Sequence, residues 1–400
     1  MEIDDPCRQD CFVTMLNSSG EIRKIGVILI GPGGSTPGGV ASVVDLQVGA
    51  KCLDAKVCTR FIRSTGNRPP AAWGKITITN IIFFLRTVAI LFWSLLTWRR
   101  GELCHIHTSY GLSFYKNLFF VLICNLFCKP AILHIHSGRI GTNFQTKSKT
   151  ISAVTKWLLC RCRVIIVLNM QTFKVVANAG FPKDRIYLTP NAVALPEYAK
   201  ERNEIPALSA MLRSRGFFSC LTVGGGLSWQ KGIIDLLKVA RLARDAGKRI
   251  AFIVVGIWAD KEEMRQTLRQ VNEMNLQNRL FFTGGLPRHK VAQFYRQADV
   301  YVLLSYHEGM PISILEAMSA GCPVISTPVG GIPQQIHHEE NGFLVPVGDT
   351  QAAFSAISTL CDDRKLATVM GKKNIEKVSL QYGIARYADD LYSAYRAALS

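Results

Sequence analysis

The chain is poor in several things that would have fixed its class at once. Its twelve cysteines in 400 residues form no even framework, and the nearest pairs, Cys7/Cys11 and Cys160/Cys162, lack the two-plus-two spacing of a zinc site. Reduced, buried thiols of a cytosolic protein are the simpler expectation. The first residues, MEIDDPCRQD, carry acid instead of base and no apolar run, so they do not read as a secretory signal. There is no zinc-finger, RNP or helix-turn-helix pattern, and the basic residues are scattered singly instead of interleaved with aromatics, so nucleic acid is not an expected partner. No DxD-type acidic cluster offers a divalent metal site, and no metal or cofactor is expected. Acid itself is scarce: 29 Asp+Glu face 47 Lys+Arg, a formal charge of +18, and +14 of it falls in residues 1–200. A basic first half suits an anionic partner such as phosphorylated substrates or anionic lipid headgroups.

Only one stretch is long and apolar enough to suggest a membrane span, Ile76 to Trp98 (ITITNIIFFLRTVAILFWSLLTW). Arg86 in its middle, with Thr77, Thr79 and Asn80, makes spanning costly. The expectation is a largely buried helix lying on a sheet; the alternative is a membrane-surface helix flanked by Trp93, Trp98, Arg99 and Arg100.

What is present is an alternation of short apolar runs and helical stretches, twice over. After a tail expected to be flexible (residues 1–20), Lys24 to Ile30 (KIGVILI) reads as a buried strand leading into the glycine loop Gly31 to Gly39 and a helix from Val40. That order brings backbone N–H groups up to a phosphate or sugar. The loop lacks the Lys-Ser/Thr of a P-loop and is no clean dinucleotide fingerprint. Leu103 to His107 (LCHIH) and Ala131 to His136 (AILHIH) are strands ending in paired histidines. Residues two apart share a strand face, so His107 and His136 are predicted nearest the crevice at the carboxyl ends, with Arg139 in the loop after His136. A His-x-His pair can also ligate a metal, but no carboxylate or cysteine trio accompanies it. Residues 21–195 make a first domain, 196–215 a charged linker, 216–380 a second domain and 381–400 a closing helix. The whole predicts an α/β protein of two doubly wound, Rossmann-like parallel sheets facing a central cleft.

The second half carries the most specific stretch. Phe217 begins a strand running into Gly224, Gly225 and Gly226, with Lys231 just beyond. Further on, VYVLLSYHEGMPISILEAMSAGCPVIST, from Val300 to Thr327, reads as strand, turn, helix and strand. Glu308 lies at the strand's carboxyl end and Glu316 eight residues later on the helix. The helix start at Met310 to Ile312 supplies N–H donors, because the first amides of a helix have no partner within it. Two glycine-rich turns, a lysine, two glutamates and a crevice histidine are parts for binding a nucleotide diphosphate joined to something neutral and hydroxylated. Lys231 would offset charge on a leaving diphosphate, and Glu316 can accept two hydrogen bonds from a ribose.

With Gly38-Gly39-Val40, His136, Lys231-Gly232 and the E-x7-E element Glu308 to Glu316 in this order, the chain resembles the GT-B glycosyltransferases of the large retaining family 4, from Lys24 to Leu399. The resemblance implies a metal-independent hexosyltransferase of the bacterial polysaccharide-biosynthesis type. It would draw on a UDP- or GDP-sugar and a lipid-linked or polysaccharide acceptor, with peripheral association at the inner face of the cytoplasmic membrane. It implies that Glu316 holds the ribose, and that Glu308 with the stretch Gly309, Met310, Pro311 and Ile312, whose N–H donors are those of Gly309, Met310 and Ile312, holds the sugar and phosphate. Gly38, Gly39 and Lys231 complete the donor site, and His136 lies beside the donor sugar, with His107 and Arg139 toward the acceptor. Front-face attack is the implied mechanism, and double displacement through Glu308 its rival. One departure stands out: the family has Gly-Arg-Leu where this chain has Gly225-Gly226-Leu227, which removes a cation from the diphosphate and leaves Arg139 or Arg288 to replace it. A catalytically impaired sugar-nucleotide binder, or an epimerase or hydrolase on the same fold, are the alternatives.

Overall fold

A computed structural model describes residues 24–33, 38–66, 77–98, 101–144, 149–194 and 205–400. The expected N-terminal tail, the middle of the first glycine loop and Arg99–Arg100 lie outside the described residues. The first sheet is built from β1 (Ile25–Gly31), β2 (Val57–Arg63), β3 (Leu103–Thr108), β4 (Ala131–Ile135), β5 (Val164–Val167) and β6 (Ile186–Leu188). Its order is β2-β1-β3-β4-β5-β6 and every pairing is parallel. β1, β3, β4 and β5 are buried along their whole length, as strands covered by helices on both faces must be. The helices of this half are α1 (Gly39–Val48), α2 (Lys51–Asp54), α3 (Ile78–Thr97), α4 (Leu112–Leu126), α5 (Gly141–Phe144), α6 (Lys149–Leu159) and α7 (Met170–Asn178).

A short helix, α8 (Ala207–Ser214), precedes the second sheet. Residues 196–204 of the expected charged linker lie outside the described residues; in the remainder Leu212 is buried against the second domain, which fixes a short amphipathic helix. The second sheet contains β7 (Phe218–Leu227), β8 (Ile250–Trp258), β9 (Leu280–Gly284), β10 (Val300–Leu303), β11 (Val324–Ser326) and β12 (Gly342–Leu344). They run parallel in the order β12-β11-β10-β7-β8-β9. Its helices are α9 (Ile233–Asp245), α10 (Lys261–Glu273), α11 (Arg288–Gln297), α12 (Ile312–Ser319), α13 (Ile332–Gln335), α14 (Thr350–Asp362) and α15 (Arg364–Gln381). In both sheets the order reverses in the middle, at β1/β3 and β7/β10, so each half has a crevice at the carboxyl ends of its strands.

The last helix, α16 (Ile384–Leu399), returns to the first sheet. Tyr387, Leu391, Ala394 and Tyr395 are buried there with Ile25, Val27, Ile132 and Val164. Val193 N–H bonds the Tyr382 carbonyl at 3.0 Å where the two crossing strands of chain pass. The C-terminus therefore covers the first domain's back, not the second's.

Helix α3 departs from the expectation of a largely buried helix. Thr87, Leu91, Ser94 and Leu95 pack inward, and Phe84 stacks beside Phe119 and Phe120 of α4. Ile78, Ile82, Leu85, Phe92, Trp93 and Leu96 are each at least half exposed. Only 22% of its most apolar window is buried, and its 20 residues are long and apolar enough to cross a membrane by length and composition. The inner stripe satisfies the sheet; nothing among the described residues covers the outer one.

Candidate active site

The opening between the two carboxyl-end crevices is a cleft of about 990 Å³. Its second-domain wall is the β10–α12 unit. β10 is fully buried between β7 and β11, and Pro311, extended at φ −68°, is the N-cap of α12. Ile314, Leu315, Ala317 and Met318 anchor that helix in the core, which leaves Glu316 on the cleft side. Tyr295 Oη donates to Glu316 Oε2 at 2.9 Å, and Arg288 Nη2 lies 3.9 Å from its other oxygen. Glu308 Oε1 accepts from Ser305 Oγ at 2.8 Å and from Lys231 Nζ at 2.7 Å. The Glu308 side chain is 8% exposed and Lys231 34%.

Lys231 ends a 3-10 turn, Trp229–Lys231, whose cap is Gly232 at φ 75°. A Cβ there would stand 2.1 Å from the Leu304 carbonyl oxygen, so only glycine lets the turn sit against β10 and bring the lysine to Glu308. β7 changes register between Gly224 and Leu227, and Gly226, where the resemblance leads one to expect arginine, has no side chain to offer. Arg288 and Arg139 both line the cleft.

The first-domain wall holds Gly38 and Gly39 at the start of α1, His136, Gly138 and Arg139. Arg139 Nη1 donates to Gln230 Oε1 at 2.9 Å across the cleft and its guanidinium lies 4.9 Å from the Tyr110 ring centroid. The two walls touch closely: a Cβ on Gly309 would fall 2.3 Å from the His136 carbonyl oxygen, and one on Gly138 1.9 Å from that of Glu308. Two first-domain asparagines fasten the donor-side loop. Asn169 Nδ2 donates to the Gly309 carbonyl at 2.8 Å and Asn191 Nδ2 to that of Met310 at 2.7 Å. These bonds hold Gly309 and Met310 beside the α12 start, whose first amides have no partner within the helix.

His107 does not share this wall, against the expectation. It is 2% exposed and sits behind His136, its Nδ1 2.7 Å from His136 Nε2. The two-residue period puts each pair on one face and the register of β3 with β4 puts both pairs on the same one; His105 stacks on His107 at 4.4 Å, and His134 lies tilted against His136 at 4.1 Å between centroids. Burial pushes the basicity of all four down, His105 and His136 to about 3. These imidazoles are neutral at neutral pH.

Of the residues marked from the sequence, the cleft gathers Gly38, Gly39, His136, Arg139, Lys231, Glu308, Gly309, Met310, Pro311, Ile312 and Glu316. It omits His107. Ser305, Tyr295, Asn169 and Asn191 were not marked. Ser305 stands three residues before Glu308 and was within reach of a spacing argument. The asparagines bond across 140 and 119 residues of chain, where no spacing rule applies.

Two doubly wound parallel sheets closing on such a cleft make this a GT-B fold. HepE of Anabaena, solved in complex with UDP-glucose, superposes with a TM-score of 0.72 at 17% identity over 92% of this chain and 99% of that one. Residues 220–377 match the family model for glycosyl transferases group 1. Among curated relatives, the UDP-Gal:alpha-D-GlcNAc-diphosphoundecaprenol alpha-1,3-galactosyltransferase of Escherichia coli is 26% identical over 273 residues, 66% of this chain and 69% of that protein. The N-acetyl-alpha-D-glucosaminyl L-malate synthase of Bacillus anthracis is 35% identical over 156 residues, 38% of this chain and 40% of that protein. Residues 220–377 are thus similar to group 1 glycosyltransferases, and the chain is a transferase enzyme of the glycosyltransferase class.

Proposed function

We propose that the protein is a retaining, metal-independent hexosyltransferase of family 4 that moves a sugar from a UDP- or GDP-sugar to a lipid-linked or polysaccharide acceptor in cell-surface glycan synthesis. The observation that carries the reading is the convergence of Glu316, Glu308, Lys231 and the α12 start on one cleft. Glu316, oriented by Tyr295, accepts from the ribose hydroxyls. The α12 amides and Lys231 hold the diphosphate, and Arg288 supplies the positive charge that Gly226 does not. His136 and Glu308 border the donor sugar.

In the reaction the bond from the anomeric carbon to the diphosphate oxygen breaks and a bond to the acceptor oxygen forms on the same face. The acceptor's proton passes to the departing phosphate oxygen. Lys231 and the amides stabilise the charge that develops there. Double displacement is disfavoured by the ion pair: a Glu308 carboxylate held 2.7 Å from an ammonium is a poor nucleophile.

The outer face of α3 supports action at a membrane surface. Exposed Ile82, Leu85 and Trp93 share it with exposed Arg86, a composition suited to lying in the headgroup layer with the arginine reaching lipid phosphates. The E. coli relative, whose name specifies a diphosphoundecaprenol substrate, supports a lipid-linked acceptor here. Localisation at the inner face of the cytoplasmic membrane follows from that reading. The test is transfer of labelled hexose from a panel of UDP-, GDP- and ADP-sugars to membrane extract, with and without chelator. Transfer with retained anomeric configuration and loss on Glu316→Ala are expected. No transfer from any donor, with Glu316→Ala leaving nucleotide-sugar binding unchanged, would refute it.

A further inference from the structure

Behind the cleft, the four stacked histidines join a buried hydrogen-bond network that the proposed chemistry does not use directly. His136 Nε2 lies 2.7 Å from His107 Nδ1, and His107 Nε2 lies 3.1 Å from Gln47 Oε1. Gln47, in α1, is 3% exposed. Its amide nitrogen donates to Tyr395 Oη at 2.8 Å, and Tyr395 Oη lies 2.7 Å from His105 Nδ1. His105 Nε2 in turn lies 3.2 Å from His134 Nδ1.

Because each neutral imidazole has one donor and one acceptor nitrogen, these contacts allow the protons only one order for a given direction of the amide. Gln47 Oε1 can only accept, so His107 carries its proton on Nε2. His107 Nδ1 must then accept, so His136 donates from Nε2. On the other branch the amide nitrogen, which can only donate, faces both Tyr395 Oη and His105 Nδ1, the latter at 3.3 Å, so His105 Nδ1 is the acceptor and His105 donates from Nε2 to His134. Every histidine is then the Nε2–H tautomer, the form an unconstrained side chain also prefers. Turning the amide over would force all four into the less favoured Nδ1–H form. Neutrality of all four rings follows from their burial.

One consequence reaches the cleft. His136 Nδ1 is buried and has no partner among the described residues, although its ring belongs to a residue lining the cleft. We infer that Gln47 is a positioning residue: acting through His107, its amide fixes His136 as the Nε2–H tautomer, so that His136 Nδ1 serves as an acceptor for a hydroxyl of the bound sugar. The use of that nitrogen rests on the glycosyltransferase reading; the tautomer does not. The inference also gives a role to the crossing of α16, because Tyr395 on that helix, 348 residues from Gln47, holds the amide in register.

The test is the two-bond proton–nitrogen spectrum of full-length protein labelled with 15N-histidine, without donor or acceptor, with His136 assigned from His136→Gln. Nδ1 of His136 is expected at the shift of an unprotonated ring nitrogen and Nε2 at that of a protonated one. A proton on Nδ1, or an averaged signal, overturns the inference from the wild-type spectrum alone. So does a stoichiometric divalent ion in the purified protein, since ligand atoms of His105, His107 and His134 all lie within 4.8 Å of one another and an ion there would replace the hydrogen bonds. In Gln47→Met the His136 signal is expected to become an average of both tautomers, and kcat/KM for the donor to fall roughly three- to tenfold, the size of one neutral hydrogen bond. An unchanged His136 spectrum in Gln47→Met overturns the role of Gln47. A confirmed tautomer in a protein that transfers no sugar would refute the function and leave the network standing.

Discussion

Lys231 Nζ lies 2.7 Å from Glu308 Oε1, joining the glycine turn after β7 to the strand tip of β10. The lysine is a third exposed and the glutamate nearly buried, so the pair is unequal: removing the cation leaves a carboxylate away from water.

Lys231→Ala is therefore expected to lower kcat/KM by about 10²–10³, on the scale of losing one transition-state charge donor. It should also cost roughly 1 kcal/mol of stability, well short of the full penalty of an unpaired buried charge because Lys231 itself is partly solvated. Steady-state kinetics and urea melts measure both. Glu308→Gln, which keeps the hydrogen bonds to Ser305 and Lys231, should lose less stability than Lys231→Ala; the opposite order would mean that the ion pair does not hold the loop.

Gly309→Ala addresses the contact between the walls. The added methyl would stand 2.3 Å from a backbone oxygen of the other domain, a clash no side-chain rotation relieves. Transfer should fall by about 10² or more, as misplacement of reacting groups does. Nucleoside diphosphate binding, which draws on the second domain's own residues, should persist by calorimetry. Wild-type kcat in this variant would mean that transfer does not require the closed arrangement.

Leu85→Glu and Trp93→Glu place charge on the exposed face of α3 without touching the cleft. Both should abolish cosedimentation with vesicles containing anionic lipid and leave transfer to a water-soluble acceptor analogue within twofold. Wild-type vesicle binding should weaken as salt is raised, since the arginine contribution is screened. Binding unaffected by both variants would assign membrane contact to another surface.

The histidine cluster predicts acid lability with a definite sign. His105 and His136 are lowered to about 3 by burial, and His107 and His134 are lowered as well, against about 6.5 in the unfolded chain. Between those values the unfolded state binds more protons, so stability is full above pH 6.5 and declines as pH falls toward 3. The slope approaches about 1.4 kcal/mol per pH unit for each histidine. Denaturant melts from pH 7.5 to 5 measure it, and a flat profile would mean that the rings are not buried neutral.

The elements and the donor-side unit were legible from the order of residues alone. Apolar runs of strand length alternating with helices fix two parallel sheets, because strands buried on both faces leave an unbroken apolar signature and right-handed crossovers leave few ways to order them. Glu308, the α12 start and Glu316 were legible because they lie within one βαβ unit, where spacing along the chain is spacing in space. His136 was legible for the same reason, one residue past a strand end.

Tertiary structure decided what spacing cannot carry. The sequence pattern put His107 beside His136 at the crevice, yet the pairing of β3 with β4 sets it one layer down. Apolar composition suggested that α3 is buried; the packing leaves only the stripe of Thr87, Leu91, Ser94 and Leu95 covered. Gln47, Tyr395, Asn169 and Asn191 carry no local signal, because each bonds a partner 60 or more residues away, brought near by sheet packing, the crossing of α16 or the meeting of the two walls. Local periodicity records which side of an element is apolar; which polar side chains meet across elements is settled only when the sheets, the cleft and the returning helix are packed together.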